Sequence, residues 1–399
     1  MGGLSEMREI EMRATYWGDL YGSAALRDPY PAYEKIRNLG SAVWMPRRRL
    51  WAVGRYEDVR DALRADDRLL SGKGVAANNP VNRQAPPITL TSDGDTHTRR
   101  RKVLMQPVMP GPLNELRPRL EEIADRLVNE LAAGEQFDAI GDFAAHLPVT
   151  VVAELVGLNA FGRERMLSWA ASTFNALGVM NLRGLRSMPA LLDLGKYVRA
   201  LRREDVTPDG WADRLFAAAE QGQLSRAEAN AMVIDYVAPA LDTTILATGH
   251  MVWLLANRPE TYEALRAEPE LIPGVVNETV RLASPIRGFT RHAAEDVDIG
   301  EQTVPAGSRV LILFASANHD ERHYVRPQDF DIRRNPRDHV GWGHGAHTCV
   351  GMHLARLEME ILLTSLVRRV SRIEAGKPVY LRNNVLQGFE KLPARFHPD

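Results

Sequence analysis

Apolar residues recur at helical spacing through the middle of the chain. From Asp95 to Ala256 the pattern predicts mostly helix, punctuated near Pro110-Gly111-Pro112, Gly134, Gly178 and Pro208-Asp209-Gly210. Its most apolar part, Met232 to Ala256, carries Asp235, Asp242 and His250. That is too polar for a bilayer span and predicts a buried core helix. Nearer the start, short helices are expected over Pro31–Leu39 and Tyr56–Ala65. Val43-Trp44-Met45 and Leu50-Trp51-Ala52-Val53 flank Pro46-Arg47-Arg48-Arg49 and predict a hairpin. After Pro285 the pattern shifts to short strands at 297–299, 309–314 and 378–381. The fold class expected is mainly α with a small β part drawn from both chain ends.

No linker or repeat divides the chain, so residues 1–399 are read as one domain, with a polar, partly mobile segment over 1–30. Residues 71–92, rich in Gly, Asn and Pro, predict a long loop, which inside a compact domain is usually functional. Lys+Arg number 50 against Asp+Glu 51, which gives no basic excess for nucleic acid. The start Met1-Gly2-Gly3-Leu4-Ser5-Glu6 lacks the basic and apolar regions of a signal peptide, so a cytoplasmic protein with no membrane partner is expected.

A lone cysteine, Cys349, excludes an intrachain disulfide. It lies in Gly341-Trp342-Gly343-His344-Gly345-Ala346-His347-Thr348-Cys349-Val350-Gly351, where four glycines in eleven residues mark a tightly turning backbone. Leu354, Leu357, Ile361 and Leu362 follow at helical spacing, which places the thiol just ahead of a helix N-terminus, where amides favour a thiolate. Three readings stay open on this pattern: an inert core cysteine, a zinc site with His344 and His347, and a nucleophile with a histidine base.

The same loop resembles the haem-binding loop of the cytochrome P450 family, Phe-x-x-Gly-x-x-x-Cys-x-Gly. Gly345, Cys349 and Gly351 match, and Trp342 stands for the usual Phe, bringing an indole N–H that needs a partner. The resemblance implies haem b (iron protoporphyrin IX) with Cys349 as its metal ligand, a thiolate whose electron donation favours O–O cleavage. Further elements arrive in the family's order. Glu278-Thr279-Val280-Arg281 fits Glu-x-x-Arg, and Phe330-Asp331-Ile332-Arg333-Arg334 supplies Arg334 as the third member of a structural triad. Asp242-Thr243 fits an acid–alcohol pair for proton delivery to dioxygen, which the resemblance makes catalytic. Pro239-Ala240 replaces the usual Ala-Gly before it; Ala240 still leaves room for oxygen, and Pro239 predicts a kink. His97 and Arg101, one helical turn apart, with Arg291 and His347 are implied to clamp the haem propionates.

What the resemblance implies is a monooxygenase that uses O2 and takes electrons from a separate ferredoxin and ferredoxin reductase, because no redox domain is visible. Arg99, Arg100 and Lys102 are expected to form a docking patch for an acidic ferredoxin. Phe174-Asn175-Ala176 and Ser284-Pro285-Ile286 are similar to bacterial members that oxidise small aromatic acids or their methyl ethers. Phe174, Leu177, Ile286 and Phe289 are then the substrate contacts, with Lys73 or a loop Asn meeting a polar group. The alternative is hydroxylation of a bulkier natural product such as a terpenoid, macrolide or peptide.

Overall fold

In the computed structural model, which describes residues 14–399, local chemistry sets most of the helix boundaries. Helix α1 spans Tyr30–Leu39 and α2 spans Tyr56–Arg64. In α2, Glu57 and Asp58 occupy the first turn and Arg64 the last, which complements the helix dipole. Its buried residues, Tyr56, Val59, Ala62 and Leu63, share one face. Helix α3 is Gly94–Met105, α4 is Pro110–Ala133, α5 is Ala160–Leu177 and α6 is Leu182–Ala200. Helix α7, Arg226–Val237, opens on a reciprocal cap. The Ser225 Oγ accepts the Glu228 N–H at 3.2 Å and Glu228 Oε2 accepts the Ser225 N–H at 2.8 Å. Helices α8 (Asp242–Ala256), α9 (Ile272–Ala283) and α10 (Met352–Arg369) complete the frame. Helix α10 packs on α4 and α9, and α8 packs on α9.

The kink expected at Pro239 is a full break. Regular helix stops at Val237 and resumes at Asp242. Proline has no N–H to continue the ladder and its ring crowds the carbonyl one turn earlier. Arg226–Ala256 is long and apolar enough to cross a bilayer, yet 72% of its most apolar window is buried inside the protein.

Strands come from both ends of the chain, as expected. The hairpin pairs Ala42–Met45 with Leu50–Val53, Trp44 opposite Trp51. It joins a five-stranded sheet through Arg309–Ile312, then Phe289–Ala293, then Leu69–Leu70. A second sheet unites Phe137–Asp138, Pro393–Pro398 and Val370–Ala375. Two expectations need correction. The strand expected over 309–314 ends at Ile312, because Phe314 starts a short helix, Phe314–Ala317. The one expected over 378–381 is only Val379–Tyr380. Within the segment expected to be partly mobile, Leu20, Tyr21 and Leu26 are buried, and Thr15 bridges to Trp44. Residues 1–13 lie outside the described residues.

Candidate active site

The loop before α10 is shaped by two glycines in the left-handed region, Gly343 and Gly345, both at φ 71°. At Gly345 a Cβ would lie 2.5 Å from the Leu63 carbonyl oxygen, so the position has no room for a side chain. The loop folds back so that the Cys349 N–H donates to the Trp342 carbonyl at 2.8 Å. Gly351 caps α10, and the amides of Gly351 and Met352 turn toward the Cys349 sulfur. Burial pushes the thiol up, while those amides, Arg101 and Arg356 pull it down. Bonding to a metal would settle that contest, because a coordinating thiol is deprotonated.

Cys349 lies in the floor of a cavity of about 1220 Å³. His97, Arg101, Arg291 and His347 line the same cavity. The His97 and His347 rings stand 4.1 Å apart between centroids. Arg101 Nη2 donates to the Thr348 carbonyl at 2.6 Å, and Arg291 Nη1 to the neighbouring Thr290 carbonyl at 2.9 Å. Among the described residues no carboxylate pairs with either arginine, and the buried His97 Nε2 has no partner. Burial holds Arg291 down to about 10, and burial with Arg291 beside it holds His347 down to about 3. Buried donors crowded together without an anion are costly, so this end of the cavity is built to receive one. The Trp342 indole N–H is buried and unpartnered as well.

Across the cavity, Ala240 and Thr243 line the wall that runs from α7 to α8. Thr243 Oγ1 donates to the Pro239 carbonyl at 3.1 Å, which uses the carbonyl left free by the helix break. Burial raises Asp242 to about 7, and its Oδ2 has no partner. Phe174, Leu177, Ile286 and Phe289 complete an apolar wall. The structure therefore brings together Cys349, the four propionate candidates, Thr243 and the four apolar contacts around one space, while Asp242 sits behind Thr243 and does not line it.

The triad stands outside that space. Arg281 Nε lies 2.7 Å from Glu278 Oε2, and Arg334 Nε 3.1 Å from Glu278 Oε1. Glu278 and Arg281 are fully buried, and Arg281 also donates to the carbonyls of Asn318 and Pro327. It ties α9 to the segment leading into the cysteine loop.

Two expectations fail here. Arg99 and Arg100 do not form a free docking patch with Lys102. Both arginines pair with Glu228 at the start of α7, at 2.6 and 2.9 Å, and Arg100 is buried. Lys73 does not line the cavity, and Asn82 of the same loop is committed to the Ala76 backbone through both its amide N and O. The zinc and nucleophile readings fall too. His344 is turned aside to the Arg64 Nε at 3.0 Å, and among the described residues no three His, Cys, Asp or Glu converge as metal ligands. Sequence reasoning did not single out two further cavity carboxyls, Asp235 on α7 and Glu358 on α10. Their one signal was an acid flanked by apolar neighbours, Ile234 and Tyr236 for Asp235, and Leu357 and Met359 for Glu358. Glu358 is buried with both oxygens unpartnered, and burial raises it to about 8.

A flat dianionic ring with a metal at its centre meets the demands of the thiol and the anion-seeking cluster together. That ring is iron protoporphyrin, and the protein is of the haem-thiolate class. Comparison with known proteins agrees. The family model for cytochrome P450 matches residues 198–379. Cytochrome P450 CYP199A2 of Rhodopseudomonas palustris is 34% identical, over 93% of this chain and 92% of that protein. Mycinamicin IV hydroxylase/epoxidase of Micromonospora griseorubida is 32% identical, over 82% of this chain and 84% of its own. The structure of the tirandamycin C-bound P450 monooxygenase TamI aligns with a TM-score of 0.81 at 29% identity, covering 94% of this chain and 99% of that one. The chain belongs to the cytochrome P450 family, haem-binding monooxygenases.

Proposed function

We propose that this chain is a cytoplasmic, single-domain monooxygenase that binds haem through the Cys349 thiolate and oxidises a compact aromatic substrate. The observation that carries the reading is the joint placement of Cys349, the unpaired cationic cluster and Thr243 around one cavity. Bound haem supplies the activation of O2, with one oxygen atom going to substrate and the other leaving as water. Cys349 holds the metal. Arg101, Arg291, His97 and His347 bind the two propionates and so orient the ring. The Trp342 indole packs beside the thiolate, and Gly345 lets the loop approach α2. Ala240 keeps the wall shallow near Thr243. Thr243 presents a hydroxyl at the helix break, and Asp242 can hold or release a proton near neutral pH. Phe174, Leu177, Ile286 and Phe289 exclude water and position an aromatic ring. Electrons come from a separate ferredoxin and its reductase.

A second reading, hydroxylation of a bulkier natural product, is favoured by relatives named for mycinamicin and tirandamycin.

Thr243→Ala tests the proton role. Oxygen consumption is expected to continue while product per O2 falls about 100-fold and hydrogen peroxide rises to match, the lower end of general acid–base effects. Measuring O2, peroxide and product together decides it. Full coupling in the variant would remove Thr243 from proton delivery.

A further inference from the structure

Asp235 is the one carboxyl of the α7 wall that faces the cavity, and the resemblance gives it no task. Ala231 and Asp235, one helical turn apart, share a face of α7, and Ala238, Pro239 and Thr243 line the same cavity beyond the end of that helix. Asp235 and Thr243 line one cavity from opposite sides of the helix break. The long loop holds the carboxyl in place. The Thr89 N–H donates to Asp235 Oδ2 at 2.8 Å, and the Leu90 amide also lies against it. Arg100 Nη1 fixes the same stretch of loop through the Ile88 carbonyl at 3.1 Å.

A carboxylate offers about four acceptor sites, so the Thr89 and Leu90 amides, with the Thr89 hydroxyl beside them, still leave acceptor capacity toward the cavity. Among the described residues no cation forms an ion pair with Asp235, because Arg100 is committed to Glu228. The cavity's arginines lie elsewhere: Arg101 and Arg291 at the Cys349 end, and Arg199 and Arg226, both exposed, at the solvent rim. A ligand group reaching Asp235 therefore meets a desolvated acceptor with negative charge. A hydroxyl or amine is welcomed there, and a second carboxylate is repelled.

The geometry points to Asp235 as a specificity-determining residue that binds an O–H or N–H donor at the pole of the substrate remote from the oxidised carbon, selecting phenols over aromatic acids. It deepens the aromatic reading above and rests on it. A para-substituted ring hydrogen-bonded to Asp235 at one end extends into the cavity that Thr243 and Cys349 also line.

The test is calorimetric binding of 4-methylphenol and of 4-methylbenzoate to ferric holoenzyme, wild type and Asp235→Asn. Asparagine keeps an oxygen for the Thr89 amide, so the loop anchor survives. Wild type is expected to bind the phenol at least about ten-fold more tightly than the benzoate, the discrimination a charged hydrogen bond supplies. In Asp235→Asn that ratio falls at least about five-fold, mainly through tighter benzoate binding. Equal or tighter binding of the benzoate by wild type, or no measurable binding of the phenol, overturns the assignment. So does an unchanged ratio in the variant. A reduced carbon monoxide complex with a thiolate band in both proteins shows that such a failure belongs to Asp235 and not to the haem-thiolate reading. If Asp235→Asn does not fold, the wild-type comparison alone still decides.

Discussion

Cys349→Ala is expected to lower product formation by at least about three orders of magnitude, equivalent to about 4 kcal/mol of barrier, while the protein stays folded. The substitution removes one sulfur atom from a cavity floor. It leaves the hydrogen bond from the residue 349 N–H to the Trp342 carbonyl, and it leaves Gly343 and Gly345, which shape the loop. The catalytic loss follows because a thiolate is the only ligand in this cavity that donates enough electron density to favour O–O cleavage. His97, buried, and His347, half-buried, stand nearby but belong to the cationic cluster. The measurement is single-turnover product yield beside circular dichroism of the same sample. Turnover within about ten-fold of wild type would show that oxygen is activated without this sulfur.

The second large effect is on stability. Glu278→Ala leaves Arg281 fully buried, and Arg334 mostly so, with no carboxylate between them. Breaking a buried pair from one side costs about 3–5 kcal/mol, because the remaining charge is uncompensated. That is a large share of the roughly 5–15 kcal/mol that holds a typical domain together. Denaturant unfolding should show the midpoint collapse and haem retention fall with it. Arg333→Ala is the control: its partner Glu268 is exposed, as Arg333 is, so the midpoint should scarcely move. A Glu278→Ala protein as stable as wild type would mean that the carbonyls of Asn318 and Pro327 suffice to hold Arg281.

The site was legible in the sequence where a residue type has few alternatives. Gly345 has to be glycine because of its left-handed φ and the Leu63 carbonyl beside it. A lone cysteine just ahead of a helix is conspicuous, and Glu278-Arg281 is a spacing that a helix turns into a contact. The hairpin and α2 were readable because short-range patterning decides them. What escaped depends on long-range contact. Arg99 and Arg100 looked like a solvated basic face, and nothing local announces that Glu228, more than a hundred residues on, takes both. Asp235 read only as a polar residue that spoils a membrane span, since its partner Thr89 comes from a distant loop. Pro239 promised a bend, but how far the helix opens depends on Thr243 and on the packing around it.

The account turns on an iron–sulfur bond from Cys349, and the absorption spectrum of the reduced holoprotein under carbon monoxide reads that bond directly. The account predicts an intense band displaced far to the red of that of a histidine-ligated haem, present in wild type and missing from Cys349→Ala. A band at the position of nitrogen ligation in freshly prepared wild type, or a red-displaced band that survives the substitution, would contradict it.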